Sequence, residues 1–217
     1  MIAIHREGWP FIALFAAVNL LAFLFWSVAG WVLLPLTIWC IAFFRDPERK
    51  APEGAGLVIC PADGRLLPLA EAAPPAELGM GEAPRTRLSI FMNVFNVHVN
   101  RNPVSGQVIA LAYRPGKFFN ASFDKASSDN ERMAMRLRPD GALAGSGDFA
   151  VVQIAGLVAR RIVCDLTRGQ GVRAGERFGI IRFGSRVDVY LPPGYEVLVR
   201  PGSLVRAGET VLARLLV

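Results

Sequence analysis

Histidine is nearly absent from this chain of 217 residues, which has only His5 and His98. Cysteine is little commoner: Cys40, Cys60 and Cys164 make an odd number with no Cys-x-x-Cys pair. No zinc-type ligand set can be drawn from them, so no bound metal is implied. The cysteines read as buried or lipid-facing free thiols in a reducing compartment. Lysine occurs only at Lys50, Lys117 and Lys125. Charge is missing altogether over the 34 positions from Phe11 to Phe44. That run is too long for a signal-peptide core, and no small-residue cleavage site with a polar mature start follows it. Also missing is a basic helix face interleaved with aromatics. The net charge of +6 and the pI of about 9.8 therefore do not point to nucleic acid. Beside an apolar N-terminus they fit attraction to anionic lipid.

The hydrophobic content of 53% and mean hydropathy of +0.37 are high for a soluble protein, and the excess sits almost wholly between Trp9 and Phe44. As one helix the uncharged run would extend about 51 Å, well beyond a hydrocarbon core of about 30 Å. Gly30 and Pro35 lie near its middle, where the chain is expected to turn back. Two arms of about 17 residues would each reach about 25 Å, enough for a short transmembrane or re-entrant hairpin. Arg6 precedes the run, and Arg45, Arg49 and Lys50 follow it. A hairpin puts both basic flanks on one side, the cytoplasmic one by the positive-inside rule. A helix pair buried in a soluble core is disfavoured, because both arms are apolar all round. The charged, proline-broken stretch from Asp46 to Gly54 then separates a membrane-anchoring hairpin, 1–45, from a β-rich domain, 46–217.

Within that domain short strands are expected over 56–60, 65–70, 86–91, 106–112, 150–154 and 161–166, and on both sides of Ser185. Residues 71–84 read as a loop, and 130–137 as one short helix after a cap at Asp129. Val172-Arg173-Ala174-Gly175-Glu176 recurs as Val205-Arg206-Ala207-Gly208-Glu209, 33 residues later (205 − 172). Two copies are too few for a solenoid. They suit a mainly β, pseudo-twofold sandwich of the lipoyl/biotinyl (barrel-sandwich) kind, by analogy of fold alone.

Between the two copies lies Arg182-Phe183-Gly184-Ser185-Arg186-Val187-Asp188, a Gly-Ser pair joining two apolar strands. Alone, it reads as a hairpin turn. In context, Gly175 to Asp188 closely resembles the self-cleavage site of the short-form (type A) phosphatidylserine decarboxylases. Three further stretches resemble blocks of that family in the same order: Cys60-Pro61-Ala62-Asp63-Gly64, Asn93 to Pro103, and Lys125 to Arg132. The likeness runs from about Phe44 to the C-terminus.

The resemblance implies a proenzyme that cuts itself between Gly184 and Ser185 into chains 1–184 and 185–217, which stay together as a heterodimer. Residue 185 would become a covalent pyruvoyl group, the cofactor, and the substrate would be phosphatidylserine at the cytoplasmic face of a cell membrane. Ser185 would attack the Gly184 carbonyl, and His98 would serve as base and later as proton donor. An imidazole titrates in the range those roles need. His98 equally reads as a structural histidine on an apolar strand. Long-form relatives carry two histidines in this block, whereas this chain has one, with Arg101 three residues on. Asp63 is expected to orient His98 in a Ser-His-Asp arrangement, although Asp63-Gly64 also reads as a tight turn. Lys125, Arg132 and Arg186 are candidate contacts for the substrate phosphate or carboxylate, against the alternative of a solvated charged face. The rival readings are a pyruvoyl decarboxylase of another serine lipid, such as archaetidylserine, and a non-catalytic membrane-anchored lipoyl-like module. The second is disfavoured, because the repeat region has no lysine to carry a group. Higher oligomers are left open.

Overall fold

A computed structural model describes residues 3–122, 126–156, 161–182 and 184–216. Two compact units emerge: Met1–Glu48 with Phe95–Val97, and Arg49–Val94 with His98–Val217.

The first unit is a helical hairpin. Helices α1 (Trp9–Phe25) and α2 (Ser27–Phe43) are separated by Trp26 alone, which is extended at φ −157°, ψ 97°. The chain therefore reverses at Trp26, not at Gly30 or Pro35. Pro35 sits inside α2, where Thr37 Oγ1 donates to Leu33 O (3.4 Å) and to Phe15 O (3.5 Å) across the hairpin. Asn19, buried on the other arm, donates to Gly30 O (2.8 Å). In apolar surroundings a side-chain amide has to find a partner, so this bond pins the two arms together. At the open end Ile4 bridges Arg45, and Arg45 donates to Ala42 O (2.6 Å) and Phe95 O (2.8 Å). The helical run Arg6–Phe25 is long and apolar enough to cross a membrane, and α2 is shorter.

The second unit is mainly β, and among the described residues its named strands pair antiparallel. Its strands run in order: β1 (Leu57–Ile59), β2 (Gly64–Leu66), β3 (Ala70–Ala72), β4 (Arg85–Met92), β5 (Val99–Arg101), β6 (Gly106–Arg114) and β7 (Arg132–Pro139). Then come β8 (Phe149–Ala155), β9 (Ile162–Cys164), β10 (Gly171–Val172), β11 (Arg177–Ile181), β12 (Ser185–Tyr190), β13 (Tyr195–Val197), β14 (Leu204–Val205) and β15 (Val211–Leu215). The large sheet has the order β10-β6-β7-β8-β12-β4-β2-β14, with β3 also on β4. Two smaller sheets are β1-β15-β13 and β5-β11-β9. Alternation in β12 sends Val187 and Val189 into the main core. Arg186, Asp188 and Tyr190 go to the opposite face, where Tyr190 joins a second cluster with Leu78, Val152 and Ile154.

The helix expected over 130–137 is instead strand β7, paired to both β6 and β8. Met135 and Leu137 enter the core while Arg136 and Arg138 are turned away from it. Two ladders and a buried face outweigh the helix propensity of Met, Ala, Leu and Arg.

The repeat seen in the sequence is built into the hydrogen bonds. Gly175 N–H donates to Asn102 O and Gly208 N–H to Cys60 O, both at 2.8 Å. Ala174 N–H donates to Ser105 Oγ (3.0 Å), and Ala207 N–H to Asp63 Oδ1 (2.7 Å). The partner segments also cross: Ile59 N–H donates to Pro103 O (2.8 Å) and Arg101 N–H to Pro61 O (2.9 Å). These bonds relate 57–66 to 99–108 as well as 171–181 to 204–215. The narrower likeness to the lipoyl/biotinyl fold remains an analogy.

At one of these crossings Cys60 is fully buried and donates to Ala62 O (3.1 Å). Burial, with a smaller push from the Asp63 charge, drives its thiol up to about 12 despite that bond. An unfolded thiol ionises near 8.5. Between those values only the unfolded state loses the proton, so stability is expected to fall as pH rises through this window. Thermal midpoints measured from pH 8 to 10 should decline, and Cys60→Ala should flatten the slope. An unchanged slope in the variant refutes the assignment.

Candidate active site

Gly184 and Ser185 lie where β11, after a short connection, gives way to β12. Gly184 has φ +67°, in the left-handed region, yet nothing lies within 4 Å of where a Cβ would be. Glycine is thus required there by conformation, since an L side chain in that region costs about 1–2 kcal/mol. Phe183 is outside the described residues. Ser185 is the first residue of β12 and is fully buried, paired with Met92 of β4 on one side and Ala155 of β8 on the other. Its Oγ points to the Met92 sulfur at 4.0 Å.

His98 is also fully buried, immediately before β5. The β5–β11 ladder pairs Val99 with Ile180, and Ile181 N–H reaches His98 O at 3.4 Å. The ladder thus sets His98 opposite the residue three positions before Gly184. Sequence reasoning passed over the side chains that tie this region to Ser185. Asn100 Nδ2 donates to the same Met92 sulfur (3.7 Å), and Asn100 Oδ1 accepts from Gln153 Nε2 (2.8 Å). All three residues are buried, as are the polar neighbours in sequence His98, Arg101 and Asn102. The motif contains Asn100, but nothing local marks Met92 or Gln153.

Asp63 is spoken for elsewhere. Oδ1 accepts from Ala207 N–H, and Oδ2 takes Arg49 Nη2 at 3.0 Å. Among the described residues none of its bonds goes to His98. Its observed work is to close the turn of the second repeat and to hold Arg49, which also meets Glu209 at 3.4 Å. Gly64 is the first residue of β2 and has no positive φ, so Asp63-Gly64 is not the tight turn that its sequence also allowed.

Arg186 lies on the sheet face opposite Ser185, 1% exposed. Its guanidinium forks onto Asp188 (Nε–Oδ1 2.7 Å, Nη2–Oδ2 2.8 Å) and donates to Ala121 O (3.2 Å) and the Ser127 hydroxyl. Arg87 joins through Ser127 Oγ (3.3 Å) and lies 3.9 Å from Asp188. Two guanidinium groups thus gather at one carboxylate. They line a cavity of about 260 Å³ with Ser89, Ser122 and residues 67–70. Arg132, by contrast, is held by Glu77 (2.7 and 2.8 Å). Lys125 falls outside the described residues.

Comparison with known proteins adds a family to this geometry. Residues 36–213 match the family model described as phosphatidylserine decarboxylase. Three similar proteins are each called phosphatidylserine decarboxylase proenzyme. That of Cereibacter sphaeroides is 59% identical over 211 residues, covering 97% of this chain and 89% of the relative. That of Ruegeria pomeroyi is 56% identical over 211 residues, 97% and 94% of the two chains. That of Paramagnetospirillum magneticum is 59% identical over 213 residues, 98% and 87%.

Proposed function

The chain belongs to the phosphatidylserine decarboxylase family, and we propose that it removes CO₂ from the serine headgroup of phosphatidylserine, leaving phosphatidylethanolamine, as a proenzyme that makes its catalytic group from Ser185. The observation that carries this reading is the setting of the Gly184–Ser185 bond. A left-handed glycine precedes a buried serine, and from that serine onward the chain is laddered on both sides. A break at this bond frees the turn and leaves residue 185 in its place.

In the cut, Ser185 Oγ bonds to the Gly184 carbonyl carbon as the C–N bond breaks. The hydroxyl proton passes to a base, and a proton is delivered to the released nitrogen. Loss of the residue 185 Cα proton then expels the Gly184 carboxylate, and water turns the remaining enamine into a ketone and ammonia. His98 is the base we assign, because the β5–β11 ladder holds it next to the segment leading into Gly184. A pyruvoyl group at 185 fits, being no larger than serine and keeping the carbonyl bonded to Arg186. When present, that group would supply an electrophilic carbonyl for the substrate amine and a sink for the electron pair left by CO₂. His98 then returns a proton to the substrate carbon. Arg87 and Arg186 line a cavity, and their guanidinium groups are the candidates for meeting an anionic group of the substrate. Intact mass tests the processing step: purified protein should contain chains 1–184 and 185–217, the smaller without a free amine. One uncut wild-type chain with full activity overturns it.

The hairpin over 1–45 is assigned as the membrane anchor, with domain 46–217 at the cytoplasmic face. Both arms are apolar all round, and Arg6 and Arg45 flank their open end. A variant beginning at Asp46 should leave the membrane fraction, or bind it only weakly and with salt sensitivity. Salt-resistant retention would mean that the anchor lies elsewhere.

A further inference from the structure

Beyond Ala155, which pairs with Ser185, the next residue of the β8 chain is Gly156, and it is buried. A Cβ built on Gly156 would stand 2.2 Å from the carbonyl oxygen of Gly184 and 2.9 Å from its carbon. Carbon and oxygen in even a favourable C–H···O contact stay about 3.3–3.6 Å apart. Both colliding atoms are backbone, so no side-chain rotation relieves the overlap. Any residue but glycine at 156 therefore displaces the peptide proposed to be cut. The two glycines have different reasons to be glycine: Gly184 needs its φ, and Gly156 needs its emptiness.

Gly156 is also held in place. Asn130 is 1% exposed and spends both amide protons on carbonyls, Ala155 O (2.7 Å) and Phe119 O (2.8 Å). Its Oδ1 accepts Phe119 N–H (3.0 Å). The peptide joining Ala155 to Gly156 is thereby clamped, as a flexible side chain could not clamp it. We infer that Gly156, fixed by Asn130, is a positioning residue for self-cleavage: it is the seat of the Gly184 carbonyl and leaves room for its oxygen to swing as the carbon becomes tetrahedral. This rests on the proposal that the chain cuts itself at Gly184–Ser185. Once the bond is cut the constraint lapses, so decarboxylation per pyruvoyl group should not depend on Gly156.

The test follows processing by intact mass in Gly156→Ala, with thermal unfolding as a check on the fold. Gly171→Ala serves as control, since a Cβ there meets nothing nearer than 4.0 Å. A misplacement of about 1 Å can cost 10²-fold in rate, and Gly156→Ala should cut about that much more slowly. Hydroxylamine should release little small chain from it, because the ester that hydroxylamine traps forms slowly. The fraction that does cut should decarboxylate normally, and Gly171→Ala should process like wild type. A folded Gly156→Ala that cuts at the wild-type rate overturns the inference. If Gly156→Ala does not fold, Asn130→Gln decides: it adds no bulk at the carbonyl but moves the clamp. Slowed cutting there supports the inference and wild-type cutting overturns it. A wild-type chain that never cuts instead removes the self-cleavage reading itself.

Discussion

Ser185→Ala is expected to remain one full-length chain with no decarboxylase activity. The substitution removes a single buried oxygen whose described contact is the Met92 sulfur at 4.0 Å, so the strand ladder and the core around it have no reason to change. What disappears is the only atom that can attack the Gly184 carbonyl from the adjoining residue. The catalytic carbonyl is then never made. The loss should be of the order seen when a covalent nucleophile is deleted, about 10⁶-fold or more. Intact mass and CO₂ release from phosphatidylserine vesicles read the two consequences separately. An active Ser185→Ala would end the pyruvoyl reading, whereas a cut but inactive one would move the cleavage site.

His98→Ala should slow self-cleavage by about 10²–10⁴-fold, the usual worth of a positioned general base. If the same imidazole also returns the proton to the substrate carbon, the chains that do cut should stay poor decarboxylases when rates are expressed per pyruvoyl group. Normalising in this way keeps lost processing from counting as lost catalysis. Cutting at the wild-type rate would show that Arg101 or solvent handles the proton, and the assignment of His98 would fall while the family stands.

Much of this was open to reading from residues alone. The uncharged run announces a helical hairpin, because 34 mostly apolar positions without a charge have few other fates, and β12 announces itself by alternation. The reversal at Trp26 was not readable: no glycine or proline marks it, and the turn is set by how the arms meet. Strand β7 was misread because Arg-Met-Ala-Met-Arg-Leu-Arg satisfies helix propensity as well as an alternation of two, and the pairing with β6 and β8 decides between them. Asp63 was expected to orient His98, whereas its described bonds go to Arg49 and to the second repeat, the latter a partner 144 residues away. Gly156 is invisible in sequence for the plainest reason. A glycine kept for close approach looks like any other until the backbone it approaches is known.

The position of β12 has one more result. Residues 185–217 supply a strand in the middle of the large sheet and another, β15, in the middle of a small one. While the chain is whole, those strands find their places in a unimolecular search. If the chain is cut at Gly184–Ser185 as proposed, the same contacts join two molecules, and unfolding sets both free. From then on the native state obeys mass action and weakens on dilution. On that proposal folding comes before cutting, and the two-chain protein would be a product its own pieces regain only slowly once parted.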